Sequence, residues 1–219
     1  MSVPYLTIDG PVDLCNLREC DLTAGKIASG LAKINRFNGR TTVPWSVASH
    51  SVLVSWISPP GLEAWGLLHD AHEFLLGDWA TPSVNFVARQ FQPSFRTNIP
   101  LAIKLAKAKI DDAISLVWGL PEKADFAALN AADMIAYEAE KFIFLGEPPS
   151  CVGTSDEDIF ERAVSLIHEL PKDTAWRDAH DVWSARARHL AGLGHLRLPG
   201  DGKEPLRMMR AETAQEKTA

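Results

Sequence analysis

Apolar positions recur at helical spacing along most of this chain, and clusters of Gly, Pro and Asn cut the pattern into segments. Residues 1–20 carry Pro4, Gly10 and Pro11 around Tyr5-Leu6-Thr7-Ile8 with no alternating partner, so an irregular arm is expected there. Asp21 is placed to cap a first helix in which Leu22, Ile27, Leu31 and Ile34 recur up to Asn35. Ser46 can cap a second helix running to about Ile57. The breaker Ser58-Pro59-Pro60-Gly61 precedes a third, from about Leu62 to the stop at Gly77-Asp78, and Thr81-Pro82 opens a fourth that ends at Arg89 or Gln90. After a polar connection over residues 91–99, a pattern from Pro100 to about Trp118 directs Leu101, Leu105, Ala108, Ile110, Ile114 and Val117 inward. The longest pattern runs from Pro121 to Leu145, and two more helices follow at about Ser155 to Leu170 and Asp173 to Leu193. The segment from Gly194 is rich in Gly, Pro and charge. These elements predict an all-α helical bundle with an irregular N-terminal arm and extra C-terminal helices: one domain over 1–195 and a flexible tail over 196–219.

Several polar residues fall on the apolar faces. His50 shares a face with Val47, Leu53, Val54 and Ile57, although a lone inward histidine is more often a hydrogen-bonded core residue than a ligand. Leu62, Trp65 and His69 form one stripe, which His72 and Glu73 continue a turn later. Asp133 lies with Phe126, Leu129, Ala136 and Tyr137. A buried, unpaired carboxylate costs several kcal/mol, so Asp133 requires a proton, a partner or a cation. His69-Asp70 alone is a weak signal. Together with His50 and Asp133 on separate helices that share one core, it makes a mixed nitrogen and oxygen set suited to Mn, Co, Zn, Fe, Ni or Mg.

The bulk composition is that of an ordinary core-forming chain: 219 residues, 46% hydrophobic and 23% charged, with a net charge of -6. That balance offers no electrostatic footprint for duplex nucleic acid or an anionic membrane, and a polyanionic ligand needs local help. The segment from Asn35 to Trp45 can supply it, because Arg36 and Arg40 present donor forks beside Phe37 and Trp45, which could stack on a base or form a wall. A solvated loop with its aromatics tucked into the core is the commoner arrangement for such a segment. Cys15, Cys20 and Cys151 neither cluster nor pair in number, which points to a reducing compartment. No basic leader and no apolar run of about 18 residues occur, so a cytoplasmic protein that does not enter membranes is expected. Oligomeric state, a homo-oligomer included, is left open.

At the order His, His-Asp, Asp the sequence resembles the HD-domain metal-dependent phosphohydrolases. The likeness covers roughly residues 20 to 145. Arg36-Phe37-Asn38-Gly39, the block from Ser46 to Val54, Leu68-His69-Asp70-Ala71-His72-Glu73 with Gly77-Asp78, and Ala132-Asp133-Met134 are similar to the branch holding 5'-deoxynucleotidases and phage dATP triphosphohydrolases. The resemblance implies that His50, His69, Asp70 and Asp133 bind a divalent metal and that Arg36 contacts phosphate. It also implies that Glu73 and Asp78 lie beside the attacked phosphorus, where Glu73 could orient or deprotonate water and Asp78 could protonate the leaving oxygen. The implied function is hydrolysis of 2'-deoxynucleotides, with dATP or another dNTP giving deoxynucleoside and triphosphate. A 5'-deoxynucleotidase acting on dNMPs and a non-catalytic nucleotide-binding HD module are the alternatives.

Two departures bear on substrate choice. Relatives of this kind often carry a lysine shortly after Gly-Asp-x-x-x-Pro, whereas here Ser83-Val84-Asn85 follow Pro82, leaving Arg89 or Lys104 to replace it. Arg40 stands where histidine is common, which is compatible with a longer phosphate chain. Lys104, Lys107 and Lys109 read as a solvated face, with a phosphate-contacting pocket rim as the alternative. His72 is within a turn of His69 and could reach a second metal, but reads first as a supporting or outward residue.

Overall fold

The segment Val47–Ile57 is built almost wholly from Val, Ala, Ser, Leu and Ile, with His50 and Trp56 as its larger members, and can be buried on every side. It forms the central helix. The computed structural model describes residues 2–7, 10–122, 124–150, 152–171 and 176–200. Its helices are α1 (Ala24–Leu31), α2 (Val47–Ile57), α3 (Glu63–Leu68), α4 (Glu73–Leu76), α5 (Thr81–Arg89), α6 (Asn98–Trp118), α7 (Phe126–Leu145), α8 (Glu157–Glu169) and α9 (Trp176–Gly192). Helices α3, α7, α8 and α9 pack around α2, while α1 packs on α4 and α9. The all-α class predicted from periodicity is what the chain adopts.

Several serines and one indole inside this bundle are satisfied locally. Ser46 caps α2 by accepting from the Ser49 N–H, as its position predicts, and the hydroxyls of Ser51, Ser55 and Ser58 donate to the carbonyls of Val47, Glu63 and Val54. Trp118 and Trp183 meet edge to face at 5.8 Å in the core, where the Trp118 indole N–H donates to the Leu22 carbonyl. Two glycines permit the closest helix contacts. A Cβ on Gly66 would lie 2.5 Å from Ser58 Oγ and 2.9 Å from Ser55 Cα, and one on Gly30 would lie 2.7 Å from Phe74 Cβ.

Several boundaries differ from expectation, each for a definable reason. The arm is ordered over strands β1 (Pro4–Thr7) and β2 (Gly10–Asp13), which pair antiparallel with Tyr5 opposite Val12. Val12 is buried, so one side chain of a polar hairpin ties it to the core. Asp21 does not cap α1. It is buried in a short 3-10 turn, Glu19–Asp21, where Arg18 donates to both its oxygens, and α1 begins after Thr23 and ends at Leu31.

The third predicted helix is interrupted at the metal motif. The amides of Ala71, Glu73, Phe74 and Leu75 bond carbonyls three residues back, and this tighter winding separates α3 from α4. Helix α6 is about 31 Å long, more than the core can cover. Ile110, Ile114 and Trp118 are buried, but Leu101, Leu105 and Ala108 are exposed on a first half that packs against α5. Helix α7 starts at Phe126 instead of Pro121, because the Asp125 side chain accepts from the Ala127 and Ala128 amides. At the other end, Leu196 is buried and the Arg197 amide donates to the Trp118 carbonyl, so 196–197 are docked. The rest of the predicted tail, residues 201–219, lies outside the described residues, as do Cys151 and the predicted start of α9 at Asp173. Cys15 and Cys20 are exposed free thiols. Among the described residues no helix is long and apolar enough to cross a membrane.

Candidate metal centre

Three helices bring four side chains together. His50 projects from α2, His69 and Asp70 from the turn after α3, and Asp133 from α7. His50 Nε2 lies 3.0 Å from Asp133 Oδ1 and 3.8 Å from Asp70 Oδ2. His69 Nε2 lies 3.2 Å from Asp70 Oδ2 and 3.6 Å from Asp133 Oδ1. The ligand atoms of His50, His69 and Asp133 all fall within 4.8 Å of one another.

Both imidazoles are oriented from behind. The Nδ1 of His69 is 2.8 Å from the Gly66 carbonyl and must carry the proton to donate there, which leaves Nε2 with a lone pair facing the carboxylates. That Nε2 is buried and has no aligned hydrogen-bond partner. The Nδ1 of His50 is 2.7 Å from Glu140 Oε1 and completes the same arrangement. Two lone pairs and two carboxylates converging on one point are the donor set that a divalent ion takes, and the carboxylate behind an imidazole is its usual support. The residues fit such an ion, which would replace the contacts the inward atoms now make with one another, such as His50 Nε2 to Asp133 Oδ1 at 3.0 Å.

Glu140 is the supporting residue that the sequence reading missed. It is fully buried on α7, and its Oε1 also accepts the Trp45 indole N–H at 2.7 Å. Its Oε2 faces Arg36 Nε at 3.3 Å and Nη2 at 3.2 Å. The signal was present, because residue 140 follows Asp133 by two helical turns on the same face.

Arg36 is held by that ion pair, with Nη1 turned to Asp70 Oδ2 at 3.7 Å. Its pKa is raised: burial opposes the charge, but Glu140, Asp70 and Asp133 outweigh it. Trp45 is corrected as a ligand-contacting residue. Its ring is fully buried against Phe144 at 4.9 Å and its N–H is taken by Glu140, so it supports the centre from inside the core. Phe37 does face the opening. It and Asn38 adopt left-handed backbone, φ 55° and 52°, in a loop closed by the Arg36 amide to the Trp45 carbonyl. Such conformations cost of order 1–3 kcal/mol each, and here they carry the Phe37 ring to within 5.7 Å of Tyr137, nearly parallel to it.

A cavity of about 700 Å³ opens over the cluster, lined by Asp70 and Asp133, by Arg36, Arg40 and Lys107, by Glu73 and Asp78, and by an aromatic side of Phe37, Trp79 and Tyr137. Lys107 is thus the cation that α6 presents to the site; Lys104 and Arg89, expected as alternatives, are exposed and do not line it. Gly77 ends α4 at φ 77°, a conformation that favours glycine, and turns Asp78 back to the cavity.

Electrostatics divide the acids in two. In the metal-free protein burial opposes ionisation of Asp70 and Asp133, yet the histidines hold both below the usual carboxylate range. Burial likewise lowers the pKa of His50 and His69, but the facing carboxylates raise both above that of a free imidazole. Glu73 behaves oppositely. Burial first, then the charges of Asp70 and Asp78, push its pKa up to about 8. Asp78 is also raised, chiefly by burial. The centre therefore offers a charged ligand set beside two carboxyls that hold their protons more tightly than usual, Glu73 with its pKa up to about 8.

No protein-family model matches the chain. An uncharacterized protein of Rhodobacter capsulatus is 34% identical to it over 145 residues, which cover 59% of this chain and 66% of that protein, just under two thirds of its length. The functional reading therefore rests on the site.

Proposed function

We propose that the chain is an HD-type, metal-dependent hydrolase of 2'-deoxynucleotides that releases triphosphate and deoxynucleoside from a dNTP such as dATP. The observation that carries this reading is the His50, His69, Asp70 and Asp133 cluster, whose two aspartates line a cavity that also holds two raised-pKa carboxyls, two arginines and a lysine. A divalent ion held by those four residues would supply a Lewis acid and lower the pKa of water from 15.7 toward about 7.

The remaining chemistry belongs to the chain. Glu73, with its pKa pushed up to about 8, is mostly protonated at neutral pH, and its ionised fraction is a stronger base than an ordinary carboxylate for taking a proton from water. Asp78, held up by burial, returns one to the departing oxygen. Arg40 and Lys107 offset phosphate charge, as does the Arg36 edge not engaged by Glu140. Phe37 and Tyr137 provide flat faces for a base, and a cavity of about 700 Å³ lies within the range of small-molecule sites.

A panel of dNTPs, dNMPs and ribonucleotides incubated with Mn²⁺, Co²⁺, Zn²⁺ or Mg²⁺, with products identified by chromatography, tests the proposal. Triphosphate and deoxynucleoside from a dNTP are expected. Inorganic phosphate from dNMPs alone would reassign the chain as a 5'-deoxynucleotidase, and nucleotide binding without turnover under any metal would make it a binding module.

A further inference from the structure

Beside the four-residue cluster, a second group repeats its construction. Asp70, His72 and Glu73 each offer a ligand atom, and the three atoms lie within 4.8 Å of one another. His72 is 4% exposed, and its Nδ1 lies 2.8 Å from Asp111 Oδ1 on α6. With the Nδ1 proton donated to that carboxylate, Nε2 carries a lone pair, and this atom is buried without a partner. Glu73 is 3% exposed and its Oε2 is likewise buried and unpartnered. Burying such a group with nothing to satisfy it is destabilising. A carboxylate behind an imidazole is how Glu140 presents His50 to the first cluster.

We propose that Asp70, His72 and Glu73 hold a second divalent cation, next to the first and sharing Asp70 with it. The inference rests on the first site only through that shared aspartate. One imidazole and two carboxylates suit Mn, Co, Fe or Zn better than a purely oxygen-seeking ion. Lys107 Nζ, 3.6 Å from Glu73 Oε1, is the cation that now faces this carboxylate, and its side chain is 27% exposed and free to withdraw to solvent. A bound ion and Lys107 therefore compete. When the second site is filled, Glu73 acts as a ligand and Asp78 remains the cavity's proton-transferring carboxyl.

Chelator-stripped full-length protein titrated with Mn²⁺, by calorimetry and by metal content after equilibrium dialysis, decides the matter. Two ions per chain are expected for the wild type and one each for His72→Gln and Glu73→Gln, with folding checked by circular dichroism. Asp111→Asn is expected to weaken only the second ion, by about 10–100-fold as for other supporting partners. Lys107→Met should tighten it by about two- to fivefold, the range of a partly exposed charge pair. A single ion in the wild type that His50→Gln abolishes and His72→Gln retains overturns the second site and leaves the first standing. Two ions in His72→Gln overturn the second site as well, and no ion in the wild type overturns both.

Discussion

Glu140→Gln separates support of the centre from ligation, because Glu140 faces away from the cavity and touches three residues that matter. Its oxygens take His50 Nδ1 and Trp45 Nε1 at 2.7 Å each, and Arg36 Nε and Nη2 at 3.3 and 3.2 Å, with no solvent exposure. Glutamine keeps the shape but has one oxygen and no charge. If that oxygen stays with His50 and Trp45, the amide hydrogens face the Arg36 donors, and a mostly buried guanidinium loses its nearer counter-ion and keeps only Asp70 at 3.7 Å. Breaking a buried pair in this way costs about 3–5 kcal/mol. At about 2–4 °C per kcal/mol for a chain of this size, the melting temperature should fall by roughly 6–20 °C. Divalent-ion affinity at the His50 site should fall by about 10–100-fold, equivalent to roughly 1.4–2.8 kcal/mol, because His50 loses the carboxylate that orients it. Urea denaturation and Mn²⁺ titration of the folded variant measure the two effects. Trp45→Phe, which removes one donor to Glu140 without touching His50, is the control and should leave ion affinity near the wild type. A Glu140→Gln protein with unchanged denaturation midpoint and ion affinity within about twofold of wild type would refute the reasoning.

Three further outcomes are expected. Asp133→Ala should lose metal and turnover together, whereas Glu73→Ala should keep the ion at His50 and His69 and lose about 10²–10⁴-fold in kcat; equal activity in both variants contradicts the assignment. Because the folded-state pKa of Glu73 is raised from 4.5 to about 8, the metal-free folded state binds more protons than the unfolded chain in that window, so stability falls as pH rises through it. Denaturation midpoints of chelator-treated protein across the window should show this slope, and Glu73→Gln should flatten it; parallel curves for the two proteins would count against the buried carboxyl. Gly66→Ala should destabilise the fold by about 1–3 kcal/mol, since the added Cβ meets Ser55 backbone at 2.9 Å and the Gly66 carbonyl also orients His69. A denaturation midpoint at or above wild type would rule out that close contact.

Three of the four metal-ligand candidates were legible because helical periodicity places His50, His69 and Asp133 on inward faces, and they do converge. The break at 69–72 was not legible. A helical stripe over Leu62, Trp65, His69 and Glu73 looks continuous until the 3-10 bonds from Ala71 onward are seen, and these tighter turns separate His69 from His72. Trp45 as a ligand wall was the less common of the two readings its loop allows; its tertiary partners, Phe144 and Glu140, put it in the core. The exposed first half of α6 has the opposite cause. Its apolar spacing is helical, but periodicity cannot say where the core ends, and Leu101 and Leu105 lie beyond it. Glu140 and Asp111 went unnoticed because each looks like a solvated helix acid until the imidazole it supports is in place.

The most direct test of the metal centre is a crystal of the Mn²⁺-loaded protein measured for anomalous scattering. The geometry predicts an anomalous peak bounded by His50 Nε2, His69 Nε2, Asp70 and Asp133, one that vanishes in Asp133→Ala. A fully loaded crystal with no peak there, or with manganese elsewhere while His50 Nε2 stays on Asp133 at 3.0 Å, would contradict it.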